Sequence, residues 1–283
     1  MQTAGHGAGG DASGTGTQNA KPESQEREPQ RGGLLRSWFH MAKKAQASEP
    51  DWLSPLATTS GRLKNELRYD IWNQPSTGNN RSFQLGGGKG LEFITSSRTQ
   101  LLVGVPTYTL SSPNGPPPGF GDLPLQLKFR IASSERQKEN YLLTFILAAT
   151  APTGSHRYGS GAAVLSPTLA VGKGWRGFDV QSTFGANLPA GETAKLGRQL
   201  QWNTAFQYAA AWKLWPELEV NSTFYRTGKD AGDNQVFLTP GIGFGRVHLG
   251  QYLRFSSAVG MQTAATRFHT YNHRWIYSLR FSF

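Results

Sequence analysis

The residues that could do chemistry stand two apart. Lys64, Glu66, Arg68 and Asp70 are interleaved with Asn65, Leu67 and Tyr69. Lys128 and Arg130 are interleaved with Leu127, Phe129 and Ile131, and Glu217 and Glu219 flank Leu218. Side chains two apart share one face of an extended strand, so each set would gather its charges on one side of a sheet. The same parity places Glu92, Asp122, Asp179, Arg254, Arg274 and Arg280 on that side. Two kinds of chemistry suit such a set. Fixed charge along an enclosed passage can sort permeating solutes. Alternatively, cations and carboxylates pair across the interior, because an unpaired buried charge is expensive, and the result is a salt-bridged plug that braces the wall.

Other constellations are less specific. The glycine-rich stretch 86–90 carries Lys89 followed by Gly90 rather than by Ser or Thr, and it lies in a strand pattern, so it is no phosphate loop. His156, His248, His269 and His273 lie in or near loops; His269 and His273 are four apart, which on a strand separates them by ~13 Å. Asp230, Asp233 and Asn234 read as turn formers, since two carboxylates and an amide fall short of a calcium shell. No cofactor, metal or catalytic residue is expected. A lipid-modifying hydrolase, with Ser and His on adjacent strands, is the enzymatic alternative, and no such pair stands out.

The elements that position the charges are strands. In segment 122–131, Leu123, Leu125, Leu127, Phe129 and Ile131 face one way while Asp122, Pro124, Gln126, Lys128 and Arg130 face the other. The same alternation sets Leu63, Leu67, Tyr69 and Ile71 against Lys64, Glu66, Arg68 and Asp70, and Trp202, Phe206, Tyr208 and Trp212 against Gln201, Asn203 and Gln207. About twelve such segments follow one another: 62–74, 80–95, 98–109, 121–133, 139–151, 162–173, 175–188, 198–213, 217–227, 234–246, 251–263 and 273–283. Their lengths suit tilted strands crossing a bilayer, and an even number leaves both ends of the wall on one side. Short and long connections mostly alternate, as periplasmic turns and external loops would. Lys89 breaks the pattern: strict alternation turns it toward lipid, at a cost of roughly 2–4 kcal/mol, unless a glycine bulge turns it inward.

The last strand is the most regular. Trp275, Tyr277, Leu279, Phe281 and Phe283 share one face, and Arg274, Ser278, Arg280 and Ser282 the other. An aromatic at every second place up to a final Phe resembles the C-terminal strand of bacterial outer-membrane β-barrels, which the barrel-assembly machinery reads as a signal.

Composition agrees. Glycine is abundant at 34 residues and hydrophobic content modest at 37%, as alternation requires, and no apolar run reaches the roughly 18 residues of a membrane helix. The absence of cysteine removes thiol chemistry and disulfides. The net charge of +11 lies entirely beyond residue 60, because residues 1–60 are neutral. No nucleic-acid-binding signature accompanies it, so cationic loops among the phosphates of lipopolysaccharide are the expected use, with outer-membrane lipid as the other partner.

Residues 1–31 are expected to form a disordered N-terminal tail, too poor in large apolar residues to fold. Residues 32–60 read as a short amphipathic helix, with Leu34, Leu35, Trp38, Phe39, Met41, Ala42 and Ala45 on one side, docked on the barrel, followed by an extended connector. Residues 61–283 form the all-β unit, an antiparallel transmembrane β-barrel of the bacterial outer membrane. Its export is in tension with the opening of the chain, where no basic stretch leads into an apolar run.

Residues as well as period suggest a relative. FGDLPLQLKFRI at 120–131, ATAPTGSHRYGSG at 149–161 and Ser166-Pro167 on the next strand resemble the outer-membrane family labelled as a putative meta-pathway of phenol degradation. That resemblance, over roughly 63–283, implies a pore-like or transporter-like barrel that passively admits small, often hydrophobic or aromatic compounds, and it brings no catalytic residues.

Overall fold

The computed structural model describes residues 33–75, 81–87, 89–112 and 115–283; the expected disordered tail 1–31 lies outside them. Twelve strands close into an antiparallel barrel. They are β1 (Glu66–Pro75), β2 (Arg81–Gly86, resuming as Gly90–Ile94), β3 (Thr99–Gly104 and Tyr108–Ser111) and β4 (Leu123–Ser134, extended at its outer end by Gly119–Phe120). There follow β5 (Tyr141–Ala151), β6 (Val164–Trp175), β7 (Phe178–Pro189), β8 (Gln199–Tyr208), β9 (Leu214–Tyr225), β10 (Asn234–His248), β11 (Arg254–Ala264) and β12 (His273–Ser282). Each pairs with its sequence neighbours, and β12 closes on β1 from Glu66↔Ser282 to Asn73↔Trp275. Closure leaves no sheet edge unpaired, which a bilayer demands.

The expected parity holds around the wall. Leu127, Phe129, Phe145, Leu169, Leu218, Leu238 and Leu279 are exposed on the outside. Inside, Lys128, Arg130, Thr144, Gln181, Glu219, Ser278 and Arg280 are buried. Aromatic rings gather near both ends of the strands: Trp175, Phe178 and Phe206 stack in series near one rim, and Trp275 stacks on Tyr277 toward the other. Such girdles mark the two interfaces of a bilayer. The connections 95–98, 135–140, 176–177, 209–213 and 249–253 share the rim at which β12 ends; the connections 152–163, 190–198, 226–233 and 265–272 share the opposite rim. We call these the inner and outer rims.

Three expectations need correction. The first strand begins at Glu66 rather than at residue 62, so Lys64 is not on it, and Leu63 is fully buried rather than facing outward. Trp212 lies in a turn after β8, with φ of 64°, instead of on the strand. Lys89 does not face lipid. Gly86 and Gly87 take φ of 96° and 56°, a region that costs glycine nothing, and the bulge they make reverses the parity. Lys89 then lines a small cavity with Arg68, Glu92 and Lys128.

Candidate functional site

The helix α1, Gly33–Ala47, lies at the inner rim; of its expected apolar face only Ala42 and Ala45 are buried, while Leu34, Leu35 and Phe39 are exposed. Its two buried residues, Ala42 and Ala45, allow a close approach to Leu63 and Ile94, and the Trp38 Nε1–H donates to the Ile94 carbonyl at 2.7 Å. Residues 48–65 then depart from the expected extended connector. They turn into the lumen and come back to β1, burying Trp52, Leu53, Leu56, Thr58, Ser60 and Leu63. The chain therefore plugs its own barrel.

The plug rests on a bed of inward-facing glycines. A Cβ on Gly172 would stand 2.5 Å from the Trp52 ring, and Cβ atoms on Gly260 and Gly241 would stand 2.6 and 2.7 Å from Leu56 Cδ1. A Cβ on Gly243 would collide with Leu53. Two of these glycines belong to Gly241-Ile242-Gly243-Phe244-Gly245, a period-two run in which every inward position lacks a side chain. That run was the signal in the sequence that something other than the wall fills the lumen.

An irregular segment in a dry interior must satisfy its own backbone polar groups. Here the inward side chains of the barrel do so. Glu219 on β9 accepts from the backbone N–H of Ala57 at 2.8 Å and of Thr58 at 2.5 Å. Arg68 on β1 donates to the Pro55 and Leu56 carbonyls at 3.0 and 2.6 Å, and Arg280 on β12 to those of Ser54 and Pro55. Gln181 on β7 donates to the Leu53 carbonyl at 3.0 Å, Thr144 on β5 to that of Gly61 at 2.8 Å, and Lys128 on β4 to that of Arg62 at 3.2 Å. Gln100 on β3 accepts from the Lys64 N–H at 2.5 Å. Hydrogen bonds to charged groups contribute about 1.5–3 kcal/mol each, so these contacts hold the plug against many strands at once.

Ion pairs add a second layer. Glu92 lies between Lys128 at 3.1 Å and Lys64 at 3.9 Å; Lys64 also reaches Glu66 at 3.1 Å; Arg68 grips Asp70 through two bonds of 2.9 Å. Glu49 joins Arg62 at 3.4 Å to Arg130 at 3.2 Å, tying both ends of the plug to β4. Sequence alone does not mark Glu49, Arg62, Gln100 and Gln181, because nothing local shows that residues 48–65 enter the lumen.

The expected pairing across the interior is therefore partial. Glu66, Asp70 and Glu92 have cations, whereas Glu219 holds backbone, Glu217 accepts from Gln207 at 2.6 Å and Asp179 from Gln181 at 3.1 Å. Amides and plug N–H groups, not cations, face the carboxylates of β7 and β9. Arg254 is exposed at the inner rim rather than within the lumen. Arg274 does point inward, and its guanidinium is sandwiched between the rings of Trp72 at 4.1 Å and Tyr271 at 4.7 Å. Tyr271 in turn stacks on Phe237 at 4.4 Å, so aromatic rings line one side of the outer half of the lumen.

Asp122 is placed at the outer mouth, not among the lumen charges. It accepts from the N–H groups of Gly154 and Ser160 at 2.9 and 2.8 Å and from the Ser160 hydroxyl at 2.5 Å, clamping the connection 152–163. Partial burial raises its pKa, but the bonds from Ser160 and Gly154 outweigh that and hold the carboxyl below the usual aspartate range. Beside it opens a vestibule of about 520 Å³ lined by Thr59 of the plug, Gln126, Thr150, Asn187 and Gln201. His269 spends both ring nitrogens on its own loop, at 2.9 Å from the Thr266 carbonyl oxygen and 2.7 Å from Asn272 Oδ1.

No family model and no curated protein matches the chain. Among solved structures it is similar to an outer-membrane channel from Pseudomonas putida F1, with 13% identity and a TM-score of 0.53 over 82% of this chain and 100% of that one. It is also similar to the NanC porin, with 7% identity and a TM-score of 0.50 over 76% of this chain and 98% of that one. The chain has the fold of an outer-membrane β-barrel.

Proposed function

We propose that this protein is a channel of the bacterial outer membrane that passively admits small molecules, with the segment 48–65 as a plug that closes it at rest. The observation that carries the reading is the mode of attachment. The plug is not part of the wall but is held in it by side-chain to backbone hydrogen bonds, which can be exchanged for water one at a time. Short turns and both ends of the wall belong to the periplasmic rim, and the longer connections face outward toward lipopolysaccharide. The regular aromatic face of β12 is the part offered to the assembly machinery. The resemblance to the phenol-degradation family favours hydrophobic or aromatic permeants, and the rings of Trp72, Phe237 and Tyr271 inside the outer half support that choice.

A second reading is a structural barrel closed for good, favoured by the ion pairs around Glu49 and Glu92. Planar-bilayer recordings separate the two. Replacing Glu219 by Leu and Arg68 by Met removes the acceptor of the Ala57 and Thr58 N–H groups, the donor to the Leu56 carbonyl and one of the two donors to that of Pro55. The expected result is a several-fold rise in open-channel conductance over the unaltered chain. A variant that folds and stays as silent as the parent would leave the closed structural barrel as the answer.

A further inference from the structure

Below the plug, on the inner-rim side, a cavity of about 320 Å³ opens between α1 and the ends of β1, β11 and β12. Six cationic side chains line it, Lys43, Arg62, Lys64, Arg246, Arg254 and Arg280, against two carboxylates, Asp51 and Glu66. At the level of contacts Arg62, Lys64 and Arg246 have carboxylate partners in Glu49, Glu66 with Glu92, and Asp51, which leaves Lys43, Arg254 and Arg280 as the excess. Arg280 is 1% exposed and forms no ion pair; its donors reach only the Ser278 hydroxyl and plug carbonyls. Arg246 reaches this cavity because β10 bulges between Phe244 and Val247, where Arg246 takes φ of 57°; it donates to the Trp52 carbonyl at 2.6 Å and shares Asp51, at 3.7 Å, with Arg136. The Arg254 side chain has neither a hydrogen bond nor an ion pair among the described residues, and it is exposed. Ser256 and Ser282 add hydroxyls to the same wall.

We infer that this inner vestibule is a binding site for a small oxyanion, a phosphate or phosphate-bearing solute, held by Arg254 and Lys43 against the fixed positive field of Arg246 and Arg280. Guanidinium forks suit phosphate oxygens, and the cations here that lack a carboxylate partner among the described residues, Lys43, Arg254 and Arg280, lower the cost of bringing one in. The cavity is lined by inward side chains of β1, β11 and β12, and those strands stand between it and the lipid, so the ligand comes from solution and not from a lipid headgroup.

Phosphorus NMR of inorganic phosphate titrated against the detergent-folded full chain tests this. Saturable line broadening is expected, weakened about tenfold by Arg254→Gln or Lys43→Gln, as for loss of one charge-assisted contact. Lys229→Gln, at the opposite rim, should leave it unchanged. Unsaturable broadening, or equal affinity in Arg254→Gln and the parent, overturns the site. So does an effect seen only with phosphatidylglycerol in the micelle and not with free phosphate. Binding is read without any current, so failure here leaves the channel reading standing.

Discussion

Asp122 and Glu219 do the same job in different surroundings. Each offers two oxygens to backbone N–H groups that no strand partner satisfies, one at the outer mouth within reach of water, the other fully buried against the plug. The first can be titrated from the medium. Its carboxyl is held below the unfolded value of about 3.9, so its contribution to the fold is complete above that value and is lost as the pH falls through the folded one. The protection of the Gly154 and Ser160 amides, their exchange rates referred to the open chain at the same pH, should therefore be full at neutral pH and fall in acid. Asp122→Asn should weaken protection at pH 7 by about 1 kcal/mol and flatten the pH dependence, a modest loss because solvent screens the site. An unchanged exchange profile in that variant would remove the clamp from the account. Parity alone places Asp122 among the lumen charges; its bonds to the connection 152–163 place it at the outer mouth instead.

Strands and plug fit by shape as much as by charge. On β10 every second residue from Gly241 to Gly245 is glycine, and on β6 Gly172 and Gly174 repeat the device beneath Trp52. Gly243→Val would drive its side chain into Leu53, and overpacking of this kind costs about 1–3 kcal/mol. If the plug closes a channel, as proposed, the strain has an outlet that a closed core lacks, because the plug would retreat. The expected outcome is a modest loss of thermal stability with bursts of current in planar bilayers, while Ile242→Val, on the lipid face of the same strand, changes neither. Loss of stability with no current would mean that the plug cannot leave even when pushed. The helix before it was legible from spacing, with Ala42 and Ala45 on the face that docks, but nothing in residues 48–65 resembles a periodic element, and an irregular segment reads the same outside a barrel as inside one.

Taken whole, the molecule is a wall turned inside out, with Leu127 and Phe129 each 44% exposed while Arg280 is 1% exposed. That arrangement is stable only when the outside is lipid. Leu127→Arg should cost roughly 2–4 kcal/mol when folding is followed by denaturant titration in phospholipid vesicles. A negligible cost would place Leu127 outside the hydrocarbon layer.

Strand number, closure, the apolar exterior and the polar interior were all legible in the chain, because alternation is a local property: neighbours two apart share a face whatever lies across the sheet. The occupant of the lumen was not. Ala57 meets Glu219 across 162 positions, and Ser54 meets Arg280 across 226. Which backbone carbonyl an inward arginine finds, and which carboxylate goes without a cation, depends on how a non-repeating segment folds into a space that exists only once the barrel has closed.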